Sequence, residues 1–111
     1  MTRKFPICPD RIRIIPEQFS WVDHRLVRDH YIELLSVEAC ALYLFLVTVA
    51  DCQGLSYYSD VSLCERLTMN IPTLTAARTC LGKAGLVVYQ KPLYQVLALG
   101  KNLQEVADDH L

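Results

Sequence analysis

The chain has 111 residues, enough for one domain with a real core, and 52% apolar with 21% charged residues is a globular composition rather than a disordered one. The longest apolar run, 39–50 (ACALYLFLVTVA), is interrupted by Thr48 and is too short to span a bilayer, so no membrane association is expected. Net charge is −1 but unevenly spread. Residues 1–28 hold Arg3, Lys4, Arg11, Arg13, Arg25 and Arg28 against Asp10, Glu17 and Asp23. Residues 36–99 are neutral, with Arg66, Arg78, Lys83 and Lys91 against Glu38, Asp51, Asp60 and Glu65.

Residues 1–20 read as an arm. Pro6, Pro9 and Pro16 prevent a continuous helix, and Ile12, Ile14 and Ile15 suit a short extended segment packed on the body. Phe19, Trp21 and Val22 add apolar bulk that anchors the arm. Arg3, Lys4, Pro6, Pro9 and Asp10 interrupt any apolar core of a signal peptide, and a cytoplasmic protein is expected. Asp23 suits an N-cap for a helix over 24–35, in which Val27, Tyr31, Leu34 and Leu35 recur at helical spacing; a break near His30 is the alternative.

Ser36 caps a second helix, 37 to about 52, with Gln53 and Gly54 as its exit. Its apolar residues cover nearly every side, which demands cover on nearly every side. The N-terminal segment or a second copy of the chain would supply it. A homodimer interface through Tyr43, Leu44, Phe45 and Val47 is expected. Residues 55–58 (LSYY) suit a first strand.

A short helix over 60–67 follows, capped by Ser59, or starting three residues later on the capping box of Ser62 and Glu65. Thr68, Met69 and Asn70 break it. The next helix, 71–84, has Asn70 as N-cap, Pro72 in its first turn, and Leu74, Ala77 and Leu81 as its apolar stripe. A hairpin of 86–89 and 93–99 closes the domain, with a turn at Gln90, Lys91 and Pro92. The expected core is Leu42, Leu46, Leu63, Leu67, Leu74, Ala77, Leu81 and Leu86. Residues 100–111 read as a tail, either a short acidic helix or a frayed end. The fold class is α+β: mainly helical, with a small antiparallel sheet, a winged helix-turn-helix over 36–99 and an N-terminal helical arm over 1–35.

The span 36–99 resembles the winged-helix superfamily, especially the DnaD-like and plasmid replication-initiator domains and bacterial winged-helix regulators. The residues that carry this are the apolar helix ending in Gly54, the step Tyr57-Tyr58-Ser59, the break Leu67-Thr68-Met69-Asn70, and above all Leu81-Gly82-Lys83-Ala84-Gly85-Leu86-Val87. The chain departs from the family at Thr68, often glycine there, and at Arg78, more often aliphatic. The outward face of the second helix, Pro72, Ala76, Thr79 and Lys83 flanked by Thr73, Thr75 and Cys80, lacks the Arg, Asn or Gln that usually reads base edges. The wing offers Gln90, Lys91, Tyr94 and Gln95.

The resemblance implies duplex DNA as partner. Thr73, Thr75, Thr79 and Lys83 would lie at the major groove, and Lys91 and Gln95 of the wing would touch backbone. Phosphate contacts supply most non-specific affinity, so Arg11, Arg13, Arg25 and Arg28 are backbone candidates as well; solvated arginines are the competing reading. Arg78 is open to two uses, a phosphate contact or a place against Asp60 or Glu38. The implied role is a bacterial-type regulator of transcription or a replication or mobile-element accessory factor. The alternative is a protein-interaction module, favoured by the neutral domain and the sparse outward face.

Chemistry has little support. His24 and His30 share no helical face, and no nucleophile elbow, phosphate loop or metal motif accompanies them, so no enzyme is expected. Cys8, Cys40, Cys52, Cys64 and Cys80 include no C-x-x-C and read as small buried hydrophobes in a reducing compartment. No metal and no cofactor are implied.

Overall fold

In the computed structural model, which describes residues 3–99, helix α2 (Val37–Val49) runs through the centre of the molecule. The Ser36 hydroxyl accepts the N–H of Ala39 at 3.1 Å and starts it. It stops at Val49, short of the expected 52. The Asp51 carboxylate accepts the N–H groups of Gln53 and Leu55, both at 2.9 Å, and this local turn outcompetes further helix. The expected tail over 100–111 lies outside the described residues.

Strand β1 (Leu55–Tyr57) leads into helix α3 (Asp60–Leu67), which Ser59 caps through its hydroxyl and the N–H of Ser62. The earlier start is therefore the one adopted. Thr68 takes a left-handed conformation, φ +56°, and ends α3. Asn70 then caps helix α4 (Ile71–Lys83) by accepting the Thr73 N–H. At its far end the Leu86 N–H donates to the Leu81 carbonyl and the Gly85 N–H to that of Gly82, a Schellman closure with Gly85 at φ +75°.

Strands β2 (Val87–Gln90) and β3 (Leu93–Val96) form the wing hairpin. The sheet order is β1-β3-β2, antiparallel throughout, so β3 lies between the hairpin partner and the strand that precedes the helix pair. This is the α+β architecture expected, in a winged-helix-like arrangement. The core takes Leu42, Leu46, Leu63, Leu74, Ala77, Leu81 and Leu86; Leu67 is half-buried at its edge. Tyr94 is fully buried, although the sequence placed it with the polar groups of the wing. Inward and outward positions alternate along β3, and Tyr94 takes an inward one.

The N-terminal segment differs most from expectation. The helix over 24–35 is replaced by one turn, α1 (Arg25–Arg28), and a 3-10 turn at Ile32–Leu34. Between them His30 sits at φ +66°, which interrupts the helix at the point the sequence marked as a break. Its ring Nδ1 lies 2.8 Å from Glu33. Ile12, Ile14 and Ile15 do not pack on the body and are largely exposed. Phe19, Trp21 and Val22 are also exposed, and the arm is joined to α2 by the Ser20 hydroxyl donating to the Thr48 carbonyl at 3.2 Å. The cysteines divide: Cys40, Cys64 and Cys80 are half-buried, whereas Cys8 and Cys52 are exposed and not the buried hydrophobes expected.

Candidate nucleic-acid interface

Helix α4 buries Leu74, Ala77 and Leu81, and this fixes what the opposite side presents. Thr75, Ala76, Thr79, Gly82 and Lys83 are exposed, and Thr73 is half-buried beside the cap. The outward face is thus methyl-rich, weakly polar and ends in one cation. Its C-terminal half borders a depression of about 570 Å³ shared by Ala76, Thr79, Cys80, Lys83 and Leu34. The Cys80 thiol reaches the Leu34 carbonyl at 3.5 Å, so the N-terminal segment flanks the end of α4.

The wing carries Lys91 exposed at its turn. Gln95 is exposed as well, but it borders a different groove, of about 680 Å³, with Phe19, Trp21, Gly54 and Val96. The sequence grouped Lys91 and Gln95 together; the structure puts Lys91 in the turn before β3 and Gln95 near the far end of that strand.

Arg78 joins the helix pair to the wing. Its Nη1 donates to Asp60 Oδ1 at 2.9 Å and to the Tyr94 hydroxyl at 2.7 Å. Its guanidinium lies 4.3 Å from the centroid of the Tyr89 ring, which in turn stacks on Tyr94 with centroids 4.4 Å apart. The side chain is 16% exposed. Burial disfavours the charge, but the hydrogen bonds with Asp60 and Tyr94 outweigh it, and the guanidinium pKa is raised. Burial also pushes the Tyr94 phenol up, against the opposing pull of Arg78. Of the two uses open to Arg78, the structure shows the one against Asp60.

The N-terminal arginines are not equivalent. Arg11 and Arg13 are exposed. Arg28 is 68% exposed and only loosely approached by Asp29, at 3.5 Å. Arg25 is engaged by Asp23 through both Nε and Nη2. Those side-chain hydrogen bonds, with the Arg25 N–H, hold the Asp23 carboxyl at a pKa of about 2 and raise that of Arg25. Arg25 is therefore already partnered, which the sequence spacing Asp23-x-Arg25 signals only in hindsight.

The four residues named for a dimer interface also separate. Tyr43 and Val47 are buried within the chain itself. Burial, aided by the nearby Asp23 charge, pushes the Tyr43 phenol pKa up. Phe45 packs edge-to-face on Tyr58 at 5.0 Å and under Arg66 at 5.8 Å. Leu44 is 63% exposed. Among the described residues, no helix is long and apolar enough to cross a membrane.

No family model and no curated protein matches the chain. In fold it is similar to the structure of a Rep–DNA complex, with a TM-score of 0.51, 15% identity, and 85% of each chain covered. At that identity the likeness is one of fold. The matched span is longer than residues 36–99, so it takes in more than the helix pair and its sheet.

Proposed function

We propose that this chain is a non-enzymatic, cytoplasmic DNA-binding module, with α4 in the major groove and the wing turn on the adjacent backbone. The observation that carries the reading is the exposed face of α4, held by α3 on one side and tied to the wing on the other, in a fold shared with a Rep–DNA complex. Thr75, Thr79 and Lys83 meet the groove, with Thr73 at its near edge, and Lys91 meets phosphate. Arg11, Arg13 and Arg28 supply further phosphate contacts, while Arg25 is retained by Asp23. A Rep–DNA neighbour favours replication over transcription regulation as the process served.

Fluorescence anisotropy on labelled duplexes across a salt series tests this. The full chain should bind at low salt, with affinity falling linearly on logarithmic axes. Changing Arg11 or Arg13 to Ala should lower the slope by about one unit each, similarly for all sequences. A flat response at low salt contradicts the reading.

Assembly through protein contacts is the second reading. Its support is apolar surface that the chain leaves uncovered, Val37 at 82% and Leu44 at 63% on α2 and Ile14 at 86% on the arm. Under this reading two copies associate as a homodimer. Light scattering coupled to size exclusion should give twice the 12.7 kDa chain mass, and Leu44→Asp should return it to one. A wild-type mass of one chain at tens of micromolar rules the dimer out.

A further inference from the structure

We infer that Arg78 is a positioning residue for DNA binding: it fixes the wing turn, and with it Lys91, against the recognition face of α4. The inference rests on the DNA-binding reading above. Four residues from four elements meet at one guanidinium. Asp60 comes from the first turn of α3, Tyr89 from β2, Tyr94 from β3, and Arg78 itself from the middle of α4.

Packing alone does not call for an arginine here. The neighbouring stripe of Leu74, Ala77 and Leu81 already binds α4 to the core. A mostly buried charge costs desolvation, and a well-packed apolar side chain of similar volume is often at least as stable. What the guanidinium adds is direction. A planar group with one nitrogen shared by a carboxylate and a phenol, and its face on a ring, allows one angle between helix and hairpin. An aliphatic contact would let the hairpin slide.

The hairpin needs that restraint. Among the described residues its outer strand β2 pairs only with β3, and the turn that carries Lys91 extends beyond the last paired residues, Gln90 and Leu93. Tyr89 and Tyr94 face each other in the ladder just inside that turn. Arg78 grips both of them, one cross-strand pair away from the residue that would touch phosphate.

The test is a double-mutant cycle in duplex affinity between Arg78 and Lys91, using the full chain. Arg78→Gln should weaken binding roughly fivefold in the wild-type background, a coupling of the size found within one side-chain network. It should have little further effect in the Lys91→Ala background, because the contact it positions is already gone. Tyr94→Phe, which removes one hydroxyl, and Asp60→Asn should give smaller losses with the same dependence on Lys91. Thermal unfolding of each variant establishes that it is folded at the assay temperature, and the Tyr94→Phe arm carries the test if Arg78→Gln is not. Equal losses with and without Lys91 overturn the inference and point to a direct phosphate contact. No loss in the folded variants overturns it too. In either case the wild-type chain still binds DNA, whereas a wild-type chain that binds no duplex overturns this inference together with the reading beneath it.

Discussion

Gly54 and Val96 are in backbone contact: the Val96 N–H donates to the Gly54 carbonyl at 2.8 Å, and a Cβ on Gly54 would stand 2.5 Å from the Val96 carbonyl oxygen. Gly54 also has φ +84°. Gly85, at φ +75°, has nothing within 4 Å of its Cβ position. Alanine at Gly85 should therefore cost only left-handed strain, about 1–2 kcal/mol. Alanine at Gly54 meets the same strain and a backbone collision and should cost clearly more. Chemical denaturation of the two variants measures the difference, and equal midpoints would show that β3 yields at no cost.

Leu74 is fully buried where α4 packs on the core. Leu74→Ala should lower stability by about 2–5 kcal/mol, and Leu67→Ala, at a half-buried edge, by less. Urea unfolding followed by circular dichroism gives both values. A loss at Leu67 that exceeds the loss at Leu74 would contradict the packing.

The Asp23 carboxyl, held at a pKa of about 2 by Arg25, gives a pH dependence of defined sign. The folded chain releases this proton more readily than the unfolded chain, whose Asp titrates near 3.8. The contribution is full above the unfolded value and disappears as pH falls through the folded one. Carboxyl chemical shifts should place the Asp23 midpoint near the lower value, and Arg25→Gln should move it up toward the ordinary one. An unchanged midpoint in that variant would remove Arg25 as the cause.

Under the proposed DNA-binding reading, the outward methyls of α4 should set a preference among duplexes. Thr75, Ala76 and Thr79 present methyl groups and no amide or guanidinium, so their best partner in a major groove is the C5-methyl of thymine. Replacing contacted thymines by deoxyuridine should weaken binding about fourfold per methyl, the effect of about 0.8 kcal/mol for one buried methyl-sized group. Thr79→Ser, which keeps the hydroxyl, should reduce that sensitivity. Indifference of the wild-type chain to uracil at every position would assign α4 a role without base contact.

Much of the fold was legible because its signals are local. Ser36, Ser59 and Asn70 each cap the helix that follows them, and all three caps form through the next turn's N–H. Helical spacing named six of the fully buried side chains, Leu42, Leu46, Leu63, Leu74, Ala77 and Leu81. Tyr94 was not legible: its neighbours in sequence are polar or mixed, and only the sheet order puts it against the helices. The N-terminal arm was misread for the opposite reason. Its isoleucines carry an inward-facing pattern, but among the described residues they find no surface to cover them. At the interface, the spacing identified which α4 residues face outward. It did not decide that Arg25 is spent on Asp23, and left Arg78 open between phosphate and Asp60 or Glu38, because those are questions of angle and reach.

The strand order β1-β3-β2 makes the helix-turn-helix a closed excursion. The chain leaves the sheet at β1, builds α3 and α4, and returns as the hairpin whose second strand lies beside the strand of departure. The ladder between Tyr57 and Leu93 is thus a clasp that closes a loop containing both helices. Its loop-closure entropy is repaid late, so the helices and the hairpin should be gained and lost in one cooperative event. Gross separation of the hairpin from α4 should therefore come only with loss of that ladder, which leaves to Arg78 the finer angle between them.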